Sequence, residues 1–196
     1  MKATATIIAG AVAALFSLAA TAQTTGSEVQ RDLNQQQRIE QGLKSGSLNT
    51  REASKLEAGE ARIDRMESNA EKDGKLSPAE KARIQRAQNQ ESRDINRLES
   101  NSAKGNPNSA SSRRMQADVQ RNINQQQRIE QGVKSGQLTN REVGKLESGQ
   151  ARVDRAEARA GADGHVGKGE QQRIQNAENK QSKRIYKQKH DKQTRR

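Results

Sequence analysis

Residues 69–80, Asn-Ala-Glu-Lys-Asp-Gly-Lys-Leu-Ser-Pro-Ala-Glu, set oxygen-bearing groups at regular intervals around a glycine. Asn69, Glu71, Asp73, the Lys75 carbonyl, Ser77 and Glu80 fall at the first, third, fifth, seventh, ninth and twelfth positions, with Gly74 at the sixth. A hard cation such as calcium takes six to eight oxygen ligands, and a loop with this spacing can supply them from one stretch of chain. Lys72 and Lys75 leave the segment with a net charge of about −1, which points to weak binding of the extracellular, near-millimolar kind. The same letters have a second reading. Ser77-Pro78-Ala79-Glu80 is a capping box with proline at the first helical position, and Asp73-Gly74 is an ordinary turn.

Three further stretches repeat the frame but lose its ligands. Residues 41–52 and 131–142 place Leu43 and Ser45, or Val133 and Ser135, at the third and fifth positions, while residues 159–170 place Arg159 at the first and Gly161 at the third. All four keep glycine at the sixth position, an aliphatic residue at the eighth (Leu48, Leu76, Leu138, Val166) and glutamate at the twelfth. On these residues the loops resemble degenerate EF-hands, a likeness that implies helix-loop-helix units and divalent-cation binding, of calcium above all, at Asn69 to Glu80. The phrases QGxKSGxL, LExGxAR and SKRIYKQKHD also resemble a group of small secreted helical proteins of Gram-negative bacteria, which implies export and helical repeats.

The elements that must hold these loops repeat as well. The chain from Glu28 matches the chain from Asp118 without gaps, with about 38 of 72 residues identical at an offset of roughly 90. Apolar residues in the first copy recur at helical steps: Leu33, Ile39 and Leu43, then Leu56, Ile63 and Met66, then Ile84, Ile95 and Leu98. Gly46 and Gly74 interrupt the runs, as helix-ending turns with positive φ require. The expected fold is all-α: two duplicated three-helix modules, residues 23–99 and 115–196, joined by a flexible Ser/Asn/Gly/Pro-rich linker at 100–114. Glu57 and Arg62 are expected on solvated helix faces, and the two modules need hold no fixed orientation.

Residues 1–22 read as a secretory signal peptide, with Lys2 before an apolar stretch and Ala20-Thr21-Ala22 as the cleavage pattern, so the mature chain is expected in the periplasm or outside the cell. No later stretch is apolar enough to span a membrane. The remainder carries about 35 basic against 24 acidic side chains, no cysteine, and Tyr186 as its one aromatic residue. Such a composition excludes a large apolar core and a water-excluding catalytic pocket, and His165 and His190 lie in unrelated contexts, so no enzyme is expected. Two alternatives to cation binding follow. The basic tail, Lys183, Arg184, Lys187, Lys189, Lys192, Arg195 and Arg196, suits an anionic polymer such as lipopolysaccharide, nucleic acid or polyphosphate. Helix faces with the Gln-rich starts at Asn34 and Asn124 suit docking of a protein partner or a second copy in the cell envelope.

Overall fold

The computed structural model describes residues 15–193, and these fold into six helices with no strand: α1 (Leu15–Ser45), α2 (Thr50–Ala70), α3 (Pro78–Glu99), α4 (Ala110–Lys134), α5 (Asn140–Ala160) and α6 (Lys168–Lys189). The segment read as a signal peptide lies outside the described residues up to position 14, and α1 begins within its last third. No described helix is long and apolar enough to cross a membrane. Corresponding helices of the two halves sit at the repeat offset, with α2 and α5 both 21 residues long and α3 and α6 both 22.

Local chemistry sets the helix ends. Asn49 with Glu52, Ser77 with Glu80 and Thr139 with Glu142 form capping boxes, each satisfying backbone donors that a helix start otherwise leaves open. The QGxKSGxL phrase explains itself in the α1–α2 turn. Gly46 takes φ +76°, and the chain returns so that the Leu48 N–H donates to the Gly42 carbonyl at 2.9 Å, with the Leu48 side chain seated on the bare Cα of Gly42. A β-carbon at Gly42 would lie 2.5 Å from the Leu48 side chain, so the seat needs glycine; Gly132 and Leu138 repeat it.

The two halves do not stand apart. Helix α2 packs along α5, and α1 along α4, more extensively than any of them packs within its own half. Both pairs are antiparallel: Glu71, at the end of α2, meets Gly144 near the start of α5, while Gly161, just past α5, meets Ser54 near the start of α2. Gly26 likewise faces Val133, and Gln116 reaches the Leu43 carbonyl. The expected flexible linker is also docked, since the Gly105 N–H donates to the Gly46 carbonyl at 2.9 Å and α4 already begins at Ala110. The physical reason is that three helices leave the inner face of α2 uncovered, and only α5 of the other half closes it.

Apolar residues collect in two clusters. One gathers Leu43, Leu48, Leu56 and Ile95 with Met115, Val119 and Ile174; the other gathers Ile129, Val133, Leu138, Leu146 and Ile185 with Val29. Each cluster thus takes in residues from both halves. Along α2 and α5, the stretch beyond Leu56 and Leu146 buries a row of acids beside Ala61, Ile63, Ala151 and Val153.

Candidate metal centre

Helix α2 and its C-cap carry Glu57, Glu60, Asp64, Glu67 and Glu71 at steps of three and four, the spacing of a coiled-coil seam, and α5 answers with Glu147, Asp154 and Glu157. An antiparallel seam brings these rows face to face. All are buried, Glu57, Glu147 and Glu157 completely, and Asp32 of α1 joins them. Glu57 and Arg62, both expected on solvated faces, part company: Arg62 is exposed and Glu57 is fully buried. The Gln-rich starts also turn inward, where Gln36 Nε2 donates to Glu57 Oε2 at 2.9 Å and Gln35 Nε2 to the Gln88 carbonyl at 2.7 Å. Asn34 and Gln37 of the same start remain exposed.

Two groups of carboxylates converge closely. Oxygens of Asp32, Asp64 and Glu67 lie within 4.8 Å of one another, and so do oxygens of Glu57, Asp154 and Glu157. Oxygens that ligate one ion at about 2.4 Å lie no more than about 4.8 Å apart, and both groups meet that limit. The groups adjoin at Asp64 and Asp154, where Asp154 repels the charged form of Asp64. Amides bridge the acids: Gln88 Nε2 donates to Asp32 Oδ1 (2.8 Å) and Glu67 Oε1 (3.1 Å), and Asn122 Nδ2 donates to Asp154 Oδ1 (3.1 Å) and Glu157 Oε2 (2.7 Å). These few donors leave much of the centre unsatisfied. Both oxygens of Glu60, Oδ2 of Asp64, and Oε1 of Glu57, Glu147 and Glu157 have no hydrogen-bond partner.

Among the described residues no lysine or arginine is buried, and none pairs with the two converging groups. Burial without a countercharge pushes every one of these carboxyls up. Asp32 rises to about 6 and Glu57 to about 7, both through desolvation first, with hydrogen bonds opposing it. Glu60, Asp64, Glu67, Glu147, Asp154 and Glu157 rise well above the usual carboxylate range, by desolvation and then by repulsion from neighbouring acids. At the edges, desolvation lifts Glu28 and Glu178 to about 8 and Asp118 to about 7. An isolated carboxylate in such a site costs many kcal/mol unless a proton or a cation neutralises it. With oxygen as the only donor in the two groups, the centre suits hard cations over soft ones.

The loop at residues 69–80 is arranged otherwise. Glu71 follows the last turn of α2 and turns into the seam, whereas Asn69 and Asp73 are exposed. Asp73 Oδ1 accepts the Lys75 N–H at 2.9 Å, and Glu80 Oε2 accepts the Ser77 N–H at 3.0 Å and its hydroxyl at 2.6 Å. Gly74, at φ +82°, makes the turn. The loop also serves as a dock: Asn140 donates to the Gly74 carbonyl at 3.1 Å and Arg141 to the Asp73 carbonyl at 3.4 Å, which places a guanidinium beside it. Only Asn69 and Glu80 line a common surface cleft, and they share it with Arg83.

Cations populate the opposite side of α2 and α5. Lys72, Arg141, Lys145, Arg152, Arg184 and Lys187 line a cleft of about 520 Å³ whose walls hold no acid. A neighbouring cleft of about 400 Å³ adds Arg65 and Arg155, whose guanidinium falls below its ordinary value through desolvation and then the nearness of Arg65, Arg152 and Arg159. Of the basic tail, Arg184 and Lys187 reach the larger cleft. Lys183 and Lys192 are exposed elsewhere, Lys189 is half-buried, and Arg195 and Arg196 lie outside the described residues. The reading of the tail missed Lys72, just past α2, and the α5 cations, although Arg141, Lys145, Arg152, Arg155 and Arg159 mark a basic stripe at helical spacing. Comparison of the chain with models of known families, with curated proteins and with solved structures finds no match.

Proposed function

We propose that this is an exported, non-catalytic helical protein of the periplasm or cell surroundings, built from two three-helix halves, and that it binds hard divalent cations, calcium foremost. The binding place in this reading is the buried carboxylate centre between α2 and α5. The loop at Asn69 to Glu80, with its EF-hand-like spacing, acts as a capped turn. The observation that carries the reading is the set of buried carboxylate oxygens left without hydrogen-bond donor or basic partner. A cation of charge +2 would supply what those oxygens lack, and ordered oxygen ligands from three or more helices would make its binding part of folding.

Thermal melting separates centre from loop. At pH 7.5, millimolar calcium added to chelator-treated full chain is expected to raise the melting temperature by several degrees, as binding to the folded state alone requires. Asp64→Asn with Asp154→Asn should remove most of that rise, and Asp73→Ala should keep it. A rise that Asp73→Ala abolishes would return the site to the loop, and no rise with calcium, magnesium or manganese would end the reading.

The basic cleft favours a second reading, retention of an anionic polymer of the envelope on the outer face of α2, α5 and α6. Cations from α5, α6 and the turn after α2 line one concave surface there, with no carboxylate to compete.

A further inference from the structure

The repeat offset that relates the two halves gives the larger basic cleft a counterpart, and the two places differ in charge. Arg141, Lys145, Arg152 and Lys187 correspond to Arg51, Lys55, Arg62 and Arg97, so four of the six cations recur. The other two do not. Lys72 corresponds to Ala162, and Arg184 corresponds to Asp94. Asp94 Oδ1 accepts from Arg97 at 2.7 Å, and its Oδ2 accepts from Gln90 at 3.1 Å. These bonds, with the charge of Arg62 nearby, hold the Asp94 carboxyl below its ordinary value, so it stays an anion. The first half therefore supplies its own countercharge at the position where the second half places one more cation.

The second half leaves its cations unneutralised. Lys72, Arg141, Lys145, Arg152, Arg184 and Lys187 are all exposed, and none forms an ion pair with a described acid. Two further clefts, of about 400 and 330 Å³, adjoin the first, and Arg152 lines all three. They add Arg65 and Arg155 in one and Arg173 and Lys180 in the other, again with no acid in their walls. Basic walls thus continue past the reach of one small anion. Guanidinium groups grip phosphate oxygens in pairs, and ammonium groups attract them as point charges. No aromatic side chain lines any of the three clefts, so nothing there stacks a base.

We propose that the three joined clefts form one binding track for a linear phosphate polymer without bases, of the inorganic polyphosphate class, and that the chain carries this track on its second half alone. This rests on the second reading above, retention of an anionic polymer. A polymer with a charge on every unit meets cation after cation along the joined clefts, with Arg152 at the junction. On the first half, Asp94 would repel it and Arg97 is already engaged.

Anisotropy of end-labelled short-chain polyphosphate, titrated with the full chain at low salt, tests this, and calorimetry counts the chains bound. One polyphosphate per protein is expected. Arg152→Asp and Arg184→Asp should each weaken binding by roughly tenfold or more, whereas Arg62→Asp, the repeat counterpart of Arg152→Asp, should change it by less than about twofold. Asp94→Arg with Ala162→Lys should build a second track and raise the count toward two. Circular dichroism checks that each variant remains helical. Equal losses from Arg62→Asp and Arg152→Asp, an unchanged count in the double variant, displacement by orthophosphate at equal phosphate concentration, or equal affinity for heparin or single-stranded DNA would overturn the proposal while leaving anion retention in place. Failure of polyphosphate, heparin and DNA alike to bind at low salt would instead overturn the reading on which it rests.

Discussion

On α2 and α5 acids face inward and bases outward, so two faces of the same helices carry opposite charge in unlike surroundings. The outer face holds Arg62, Arg65, Arg152 and Arg159, solvated by water and answerable to salt. The inner face holds Glu57, Asp64, Glu147 and Asp154, shielded from water and answerable to protons and bound ions. Charge of one sign is almost free in the first place and expensive in the second. The difference teaches that a charge count hides surroundings: charged side chains within a turn of each other belong to separate chemical systems.

The strongest way to break the comparison is to change pH without divalent ions. A carboxyl whose folded pKa lies above its unfolded value binds more protons when folded, so the stability it contributes is present at low pH and is lost as pH rises. With ordinary values near 4 and raised values of about 6 to 8, the loss falls between about pH 4 and 8. Chelated chain should therefore melt at least roughly 10 °C lower at pH 8 than at pH 5, and calcium should close most of the gap. A melting temperature that is flat or rises across this window would show that the inner charges are neutralised in some other way.

Next in size is removal of one inner charge. Glu60→Leu should stabilise the chelated chain at pH 8 by about 1 to 4 kcal/mol, because a buried acid with neither oxygen partnered gives way to an apolar side chain. Denaturant midpoints at pH 8 and pH 5 check this, with a smaller gain expected at pH 5, where the acid is already protonated. The smallest stability effect belongs outside. Arg152→Glu should change stability by no more than about 0.5 kcal/mol, yet it should lower the salt concentration that elutes the chain from immobilised polyphosphate, which sharpens the contrast between the faces. Unchanged elution would remove the basic cleft as a binding surface.

Much of the frame is legible in the sequence. The repeat offset follows from aligning the chain with itself, and the glycine turns at 46 and 74 and the capping boxes at Asn49, Ser77 and Thr139 follow from local rules that act over four or five residues. The centre is not legible by the same means, because hydropathy assigns carboxylates to water and so sends Glu57 to a solvated face. A signal was nevertheless present. Glu57, Glu60, Asp64, Glu67 and Glu71 keep the seam spacing without interruption, and Arg62 and Arg65 fall between them. The arrangement of the loop at 69–80 has a related cause. Glu71, its third position, still belongs to the register of α2 and follows that helix inward, so a spacing suited to a loop is divided between a helix end and a turn. The expected independence of the halves fails because apolar counting misses an interface lined with acids.

The antiparallel pairing of α2 with α5 has a consequence for how such a chain can change over generations. A single half, by the same geometry, could close its inner face only against an identical partner, and every alteration would then be made twice. Joining the halves through residues 100–109 removes that obligation. Position 32 can hold aspartate while position 122 holds asparagine, a distinction that no assembly of identical subunits could inherit.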